Sequence, residues 1–297
     1  MAMRLAGVEL GGTKAIAVLA EGDAILEQRT FPTGTPEETL AGLNGALREW
    51  DDAAALDALG IASFGPVNVD PTSADYATML DTPKPGWRKV PIGSALTAGL
   101  VCPWTLDTDV NAAALAEYGY GSAIGCDSVC YITIGTGVGG GLVIGGRPVH
   151  GALHPEIGHL RLRRAPGDDF AGTCRFHRDC IEGLVSGPAL AARFGMTASD
   201  IPDNHPAWQA VAFDLGELAA SILLTTSANL VVLGGGVSLK RSFLLPLIRR
   251  HVVDRLGGYL PHIDSATVDR TILLTSLGEQ AGPLGAVALA RIAAQGA

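Results

Sequence analysis

The sequence predicts an α/β chain of two related domains. A strand, a glycine-rich loop carrying a threonine, and two further strands open the chain, and the same succession returns about 124 residues later. Around both copies, short buried strand-like runs alternate with helical stretches, as in sheets covered by helices. At 297 residues the chain is long enough for two domains of ordinary size. The boundary is expected at 112/113, giving domains 1–112 and 113–297, with the terminal helix packing back on the first.

In the first copy, Arg4–Val8 reads as a buried strand, Glu9-Leu10-Gly11-Gly12-Thr13-Lys14 as a loop, and AIAVLA and AILEQRTF as strands about the turn EGD. The two glycines let backbone N–H groups approach an anion with no Cβ in the way, and Thr13 and Lys14 add donors. A tight hairpin without a ligand is the alternative. No helix follows directly, so this is not a Walker A loop. Pro36–Asp51 is an amphipathic helix with Leu40, Leu43 and Leu47 on one face. Ala58–Phe64 is a buried strand ending in Gly65-Pro66-Val67, which either exposes backbone groups to a ligand or turns the chain. Thr82-Pro83-Lys84-Pro85-Gly86-Trp87 suits a lid and a packed surface loop equally. The strand Val101–Leu106 then delivers Asp107-Thr108-Asp109-Val110-Asn111 to an alanine-rich helix. Asp109 is either that helix's N-cap or a carboxylate at a strand's carboxyl end, able to take the proton of an attacking hydroxyl.

In the second copy, SVCYIT is a strand, Ile134–Gly141 a glycine turn, LVI a strand and PVHG a strand after the turn GGR. Two glycine–threonine loops on opposing walls would clamp a triphosphate from both sides. Helices are expected over Leu184–Phe194 and Trp208–Ser227. The strand Leu230–Leu233 runs into Gly234-Gly235-Gly236-Val237, either bare backbone for a purine or a tight strand-to-helix turn. Arg241–Leu256 is a basic helix whose Arg249-Arg250-His251 run reads as a solvated face, and Ile272–Thr275 is a last strand. The terminal helix Gly282–Gln295 has a Gly/Ala face suited to close packing.

Between these elements lies a candidate metal cage. His159 is followed by fourteen residues and then Cys174-x-x-His177-x-x-Cys180. Two thiolates and two imidazoles fill the four positions of a tetrahedral Zn²⁺, which argues for a structural ion. The intervening segment is polar and basic, with little apolar surface to order it, and zinc supplies the order. Two buried thiols beside unrelated surface histidines is the alternative. The cage would hold Glu156 and Glu182 near each other, and a zinc-bound imidazole keeps a second ring nitrogen for a hydroxyl, which suits a polyhydroxylated substrate.

A net charge of −9 and a pI near 5.2 disfavour nucleic acid as a partner. No apolar run approaches bilayer length, the start MAMRLAG lacks a cleavage pattern, and five cysteines fit a reducing cytoplasm, so no membrane partner is expected.

Taken together, ELGGTK, SFGPV, DTDVNAAALAE, TIGTGVGGGLVIGG, HPEIGH, CRFHRDCIEG, VLGGGV and AGPLGA resemble the ROK family (repressors, open reading frames and sugar kinases), over nearly the whole chain. TPKPGW, TDVN and HPEIGH are most similar to its zinc-containing bacterial fructokinase branch. The resemblance implies an actin/hexokinase-like (ribonuclease H-like) duplicated two-domain fold with a cleft between domains. It implies ATP-dependent phosphorylation of a hexose, D-fructose to fructose 6-phosphate before glucose, mannose or an N-acetylated amino sugar, with Mg²⁺, a structural Zn²⁺ and a homodimer. It places Gly11, Gly12, Thr13 and Lys14 in one phosphate loop, Thr133, Gly135, Thr136 and Gly137 in the second, and Gly234, Gly235 and Gly236 by the adenosine. Asp109 becomes the general base, with Gly65, Pro66, Thr108, Asn111, His154, Glu156, His159 and Glu182 about the sugar. Glu9 stands where most members have Asp, and Thr108 where most have Asn, which the fructokinase branch shares and which points to altered sugar handling. A repressor of the family carries a DNA-binding segment before the first glycine loop, which here begins nine residues from the start. A non-catalytic sugar sensor is the remaining rival.

Overall fold

The computed structural model describes residues 2–296, which divide into two compact units. One is formed by the chain up to Gly119, by Pro148–His154 and by Glu279 onward; the other by Tyr120–Arg147 and Pro155–Gly278. The division expected at 112/113 falls inside the helix Asp109–Tyr120, which the first unit keeps as far as Gly119.

The first unit is built on a five-stranded sheet. Its strands are β1 (Arg4–Leu10), β2 (Lys14–Glu21), β3 (Ala24–Pro32), β4 (Ala58–Ser63) and β5 (Trp104–Thr108), ordered β3-β2-β1-β4-β5. β1 runs antiparallel to β2 and parallel to β4, and β4 parallel to β5. β4 is buried at every position, so it reads as an unbroken apolar run. β3, at the edge, alternates exposed and half-buried residues. Glu9 and Leu10 belong to β1 and not to the loop, pairing with Ile16 and Ala15. β5 starts only at Trp104, after Pro103, and runs on to Thr108.

Helix α1 (Pro36–Ala53) starts on Thr35, whose hydroxyl accepts from Glu38 N, and buries Leu40, Leu43, Leu47 and Trp50. The short α2 (Ile92–Thr97) has no counterpart in the sequence reading. α3 (Asp109–Tyr120) follows β5 without a loop. The C-terminal helix Ala281–Gln295 lies on β1 and β4. Its small face decides that contact: a Cβ on Gly60 would stand 2.0 Å from the Ala286 carbonyl oxygen, and one on Gly285 would stand 2.3 Å from that of Ala112.

The second unit repeats the plan. Its strands are β6 (Ser128–Ile134), β7 (Val138–Ile144), β8 (Arg147–Pro148), β9 (Leu230–Gly234) and β10 (Ile272–Leu274), ordered β10-β9-β6-β7-β8. β6 is antiparallel to β7 and parallel to β9, and β9 to β10. The duplication read from two loops is therefore a property of both sheets. Gly139, Gly140 and Gly141 lie in β7 and not in the turn; a Cβ on Gly140 would stand 2.7 Å from Ile157, so the bare strand admits that side chain. The strand expected over PVHG shrinks to Arg147–Pro148, because proline withdraws an N–H from the ladder.

The helix expected over Leu184–Phe194 is two, α4 (Ile181–Val185) and α5 (Gly187–Phe194), divided where Ser186 caps α5. α6 (Trp208–Thr226) carries the apolar stripe and packs on α8 (Leu244–Leu256). α7 (Gly235–Lys240) separates β9 from α8. The Arg249-Arg250-His251 run is only partly a solvated face. Arg249 donates to the Ile272 and Asp269 carbonyls, and the His251 ring packs edge-on against Phe213 at 5.3 Å. Among the described residues, no helix is long and apolar enough to cross a membrane.

Candidate active site and metal centre

In the first unit the candidate groups gather where β5 meets α3. Thr108 Oγ1 accepts from Asn111 N at 3.2 Å, so Thr108 is the cap of α3. Asp109 is the first helical residue and half-buried, its Oδ1 accepting from Val110 N at 2.9 Å. The cap reading of Asp109 is corrected accordingly: the neighbouring hydroxyl takes that task. Asn111 is fully buried and donates to Asp107 Oδ1 at 2.8 Å.

Beside β4, the Gly65–Pro66 peptide is cis. His154, 6% exposed, receives the Val67 N–H on Nε2 at 3.4 Å. The TPKPGW stretch is a packed loop. Trp87 is fully buried and donates to the Gly34 carbonyl, while Lys84 Nζ donates to the carbonyls of Gly12 (2.7 Å) and Thr33 (3.1 Å). Lys84 thereby braces the first glycine loop, a role that composition did not reveal. Within that loop Gly11 N closes the turn on the Lys14 carbonyl at 3.1 Å, and Gly12 faces open space. Thr13 is exposed, and Lys14 reaches Glu279 at 3.5 Å.

Glu9 sits under this loop, with one carboxylate oxygen buried and unpartnered. Burial pushes its carboxyl up to about 7, against the pull of Lys14. Gly282 makes room for it, since a Cβ there would stand 2.2 Å from the Glu9 carboxyl carbon. A hard oxygen donor lacking a partner fits Mg²⁺ chemistry. Because the folded-state pKa lies above the unfolded one, the folded state holds this proton more tightly. The carboxyl therefore destabilises the protein progressively as pH rises from about 4.5 to about 7. Glu9→Gln, melted without nucleotide or metal, should match the parent near pH 4.5 and exceed it by about 3 kcal/mol at pH 8. An equal difference in Tm at both pH values would contradict this burial.

In the second unit, Gly135 N donates to Gly137 O at 2.9 Å and Gly187 N to Gly135 O at 2.7 Å, fastening the second glycine loop to the start of α5. Glu182 Oε2 accepts from Val138 N at 3.2 Å and lies 2.8 Å from where a Cβ on Gly137 would be. Glu182 is thus tied to the loop, while Glu156 is exposed. The third glycine turn has a packing explanation for two of its members. A Cβ on Gly234 would meet the Tyr131 hydroxyl at 2.0 Å, and Gly235, at φ +82°, stands over Ile134 and Thr133 Oγ1. Only Gly236 of the three faces open space.

The four residues of the candidate cage come together. One ligand atom from each of His159, Cys174, His177 and Cys180 lies within 4.8 Å of all the others. Cys180 Sγ is 3.6 Å and Cys174 Sγ 3.8 Å from His159 Nδ1, and Cys174 Sγ is 3.9 Å from His177 Nδ1. Ordinary Zn–S and Zn–N bonds give a tetrahedral sulfur–nitrogen edge of about 3.6 Å, so donor set and spacing both fit zinc. Both thiols are buried and His177 is exposed. With Nδ1 turned to the thiols, His159 keeps Nε2 for another partner.

The loop also has an anchor that the sequence reading missed. Asp168 accepts from Arg164 (2.5 Å) and Arg193 (2.6 Å), and Arg193 pairs with Asp214 at 2.9 Å, with both Arg193 and Asp214 almost wholly buried. The polar character taken to leave the segment without order supplies part of that order.

A model of the ROK family matches residues 5–293. The chain is 38% identical over 291 residues to a fructokinase of Zymomonas mobilis, covering 95% of both chains. Its structure is similar to the crystal structure of a ROK hexokinase from Thermus thermophilus, with a TM-score of 0.81 and 28% identity over 99% of this chain and all of the other. It is similar also to a ROK family glucokinase from Streptomyces griseus, solved with glucose and AMPPNP, with a TM-score of 0.74 and 27% identity over 97% and 99% of the two chains. These likenesses place the fold in the α/β, actin/hexokinase-like class.

Proposed function

The chain belongs to the ROK family, and on that premise we propose that it phosphorylates a hexose with ATP, D-fructose to fructose 6-phosphate by preference. The observation that carries the reading is the β5–α3 corner. There a half-buried Asp109 follows a strand's carboxyl end, with Thr108 capping the helix in its place. In that setting Asp109 orients the acceptor hydroxyl and takes its proton, while Asn111, Gly65, Pro66 and His154 contribute to the sugar side. Gly12, Thr13 and Lys14 in one loop and Thr133, Gly135, Thr136 and Gly137 in the other would bear the nucleotide's phosphates. Phosphoryl transfer asks chiefly for such donors and for alignment.

Gly236 is the adenosine contact best supported, its neighbours Gly234 and Gly235 being occupied by packing. Mg²⁺, held through Glu9, would neutralise phosphate charge. Zinc, on His159, Cys174, His177 and Cys180, would fix the loop that carries Glu156 and Glu182. His159 then offers Nε2 to a sugar hydroxyl.

The preference for fructose is supported by the Zymomonas relative, and glucose as acceptor by the Streptomyces neighbour. A panel of D-fructose, D-glucose, D-mannose and N-acetylated amino sugars, with ATP and Mg²⁺ and scored for ADP release, tests both. We expect the highest kcat/KM on fructose. A higher value on glucose overturns the preference, and no sugar-dependent release overturns the kinase reading in favour of a sensor.

A further inference from the structure

We propose that His150, held by the buried carboxylate of Asp107, is a sugar-recognition residue whose Nδ1 hydrogen-bonds a hydroxyl of the bound hexose. The proposal rests on the kinase reading and extends it to two residues that carried no assignment in the sequence.

Asp107 lies on β5 with its side chain only 3% exposed. Oδ1 accepts from Thr108 N at 2.7 Å and from Asn111 Nδ2 at 2.8 Å, and Oδ2 meets His150 Nε2 at 2.9 Å. Asn111 Nδ2 also stands 3.4 Å from His150 Nε2. Two nitrogens this close are satisfied when each donates to the carboxylate, which sets the proton of His150 on Nε2. Every contact of His150 described above uses Nε2, so Nδ1 is the nitrogen left for a ligand. The ring is 36% exposed, against 3% for the aspartate beneath it, so it can meet a ligand that Asp107 cannot.

Asp107 also raises the His150 pKa above its ordinary value, through its hydrogen bond first. With its proton on Nε2, the ring offers Nδ1 as an acceptor for a sugar hydroxyl, and it is anchored through Asp107, two residues before Asp109 in the chain, with Asn111 two residues after.

The backbone supports the same placement. Pro148–His154 is a stretch from the middle of the chain that belongs to the first unit although the flanking stretches belong to the second. It is fastened at both ends, by His150 on Asp107 and by His154 on Val67 N beside the Gly65–Pro66 turn. Asp107 acts through His150 and Asn111 and is a positioning residue.

Two substitutions separate recognition from scaffolding. The His150→Gln amide reproduces Nε2 and can still donate to Asp107, but it removes Nδ1. The His150→Asn amide reproduces Nδ1 and gives up the bond to Asp107. We expect His150→Gln to raise the KM for fructose about three- to tenfold, the weight of a neutral hydrogen bond, and to weaken fructose binding by calorimetry in parallel, with the KM for ATP and the Tm unchanged. His150→Asn should recover part of that loss. A His150→Gln protein with the parent's KM and affinity for fructose would overturn the assignment and leave the kinase reading standing. If the parent binds fructose without phosphorylating it and His150→Gln abolishes binding, the kinase reading falls and His150 keeps its role. A parent that neither binds nor phosphorylates a hexose would sink both.

Discussion

Asp109→Asn should lower kcat for hexose phosphorylation by roughly 10²–10⁴-fold, the range in which a positioned general base contributes. The binding of fructose and of ATP should change little. The substitution keeps the shape of the side chain and can keep the bond that Oδ1 accepts from Val110 N, so the start of α3 is preserved. Thr108, not Asp109, caps that helix, so the usual penalty for losing an N-cap, about 1 kcal/mol, does not arise. Activity and stability therefore separate at this position. A fall in Tm as large as a lost cap would produce, with kcat within a few-fold of the parent, would return Asp109 to a structural role.

The second large effect concerns the metal. Structural zinc in small sites contributes on the order of 10 kcal/mol. The His159, Cys174, His177 and Cys180 donors here lie at zinc-like separations in a loop with few apolar side chains. The Arg164–Asp168–Arg193–Asp214 network holds the far limb of that loop independently, so metal loss should loosen the Cys174–Cys180 limb and the His159 turn first. Cys180→Ser, or prolonged chelation, should remove about one equivalent of zinc by mass spectrometry. It should also lower Tm by many degrees, at about 2–4 °C per kcal/mol for a domain of this size. Fructose affinity should fall in step, since one imidazole serves both metal and sugar in this account. A metal-free protein with unchanged Tm and unchanged fructose affinity would contradict the coupling.

What the sequence made legible was local and repetitive. The strand–loop–strand pattern around Gly11–Lys14 and Gly135–Gly137 foretold both sheets, because hairpins and buried strands are written in neighbouring residues. The cluster of His159, Cys174, His177 and Cys180 was legible for the same reason, since three of its four members fall within seven residues. The partners of buried polar groups were not legible. Asp107 and His150 lie 43 residues apart, Lys84 and Gly12 lie 72 apart, and only the folded chain joins them. Glu9 reads as a loop residue because an acidic side chain beside two glycines suggests a turn; it lies in β1, where burial pushes its carboxyl above the ordinary range. Asp is a strong capping residue, so the sequence leaves Asp109 open between cap and base, and in the fold the threonine before it holds the cap position.

The most direct test of the account follows the phosphoryl group itself. Phosphorus NMR of a reaction containing ATP, Mg²⁺ and D-fructose should show a sugar 6-phosphate forming in equal amount to ADP with the parent protein. Neither should appear at a comparable rate with Asp109→Asn. Inorganic phosphate in place of the sugar ester, or a sugar ester made equally fast by Asp109→Asn, would contradict it.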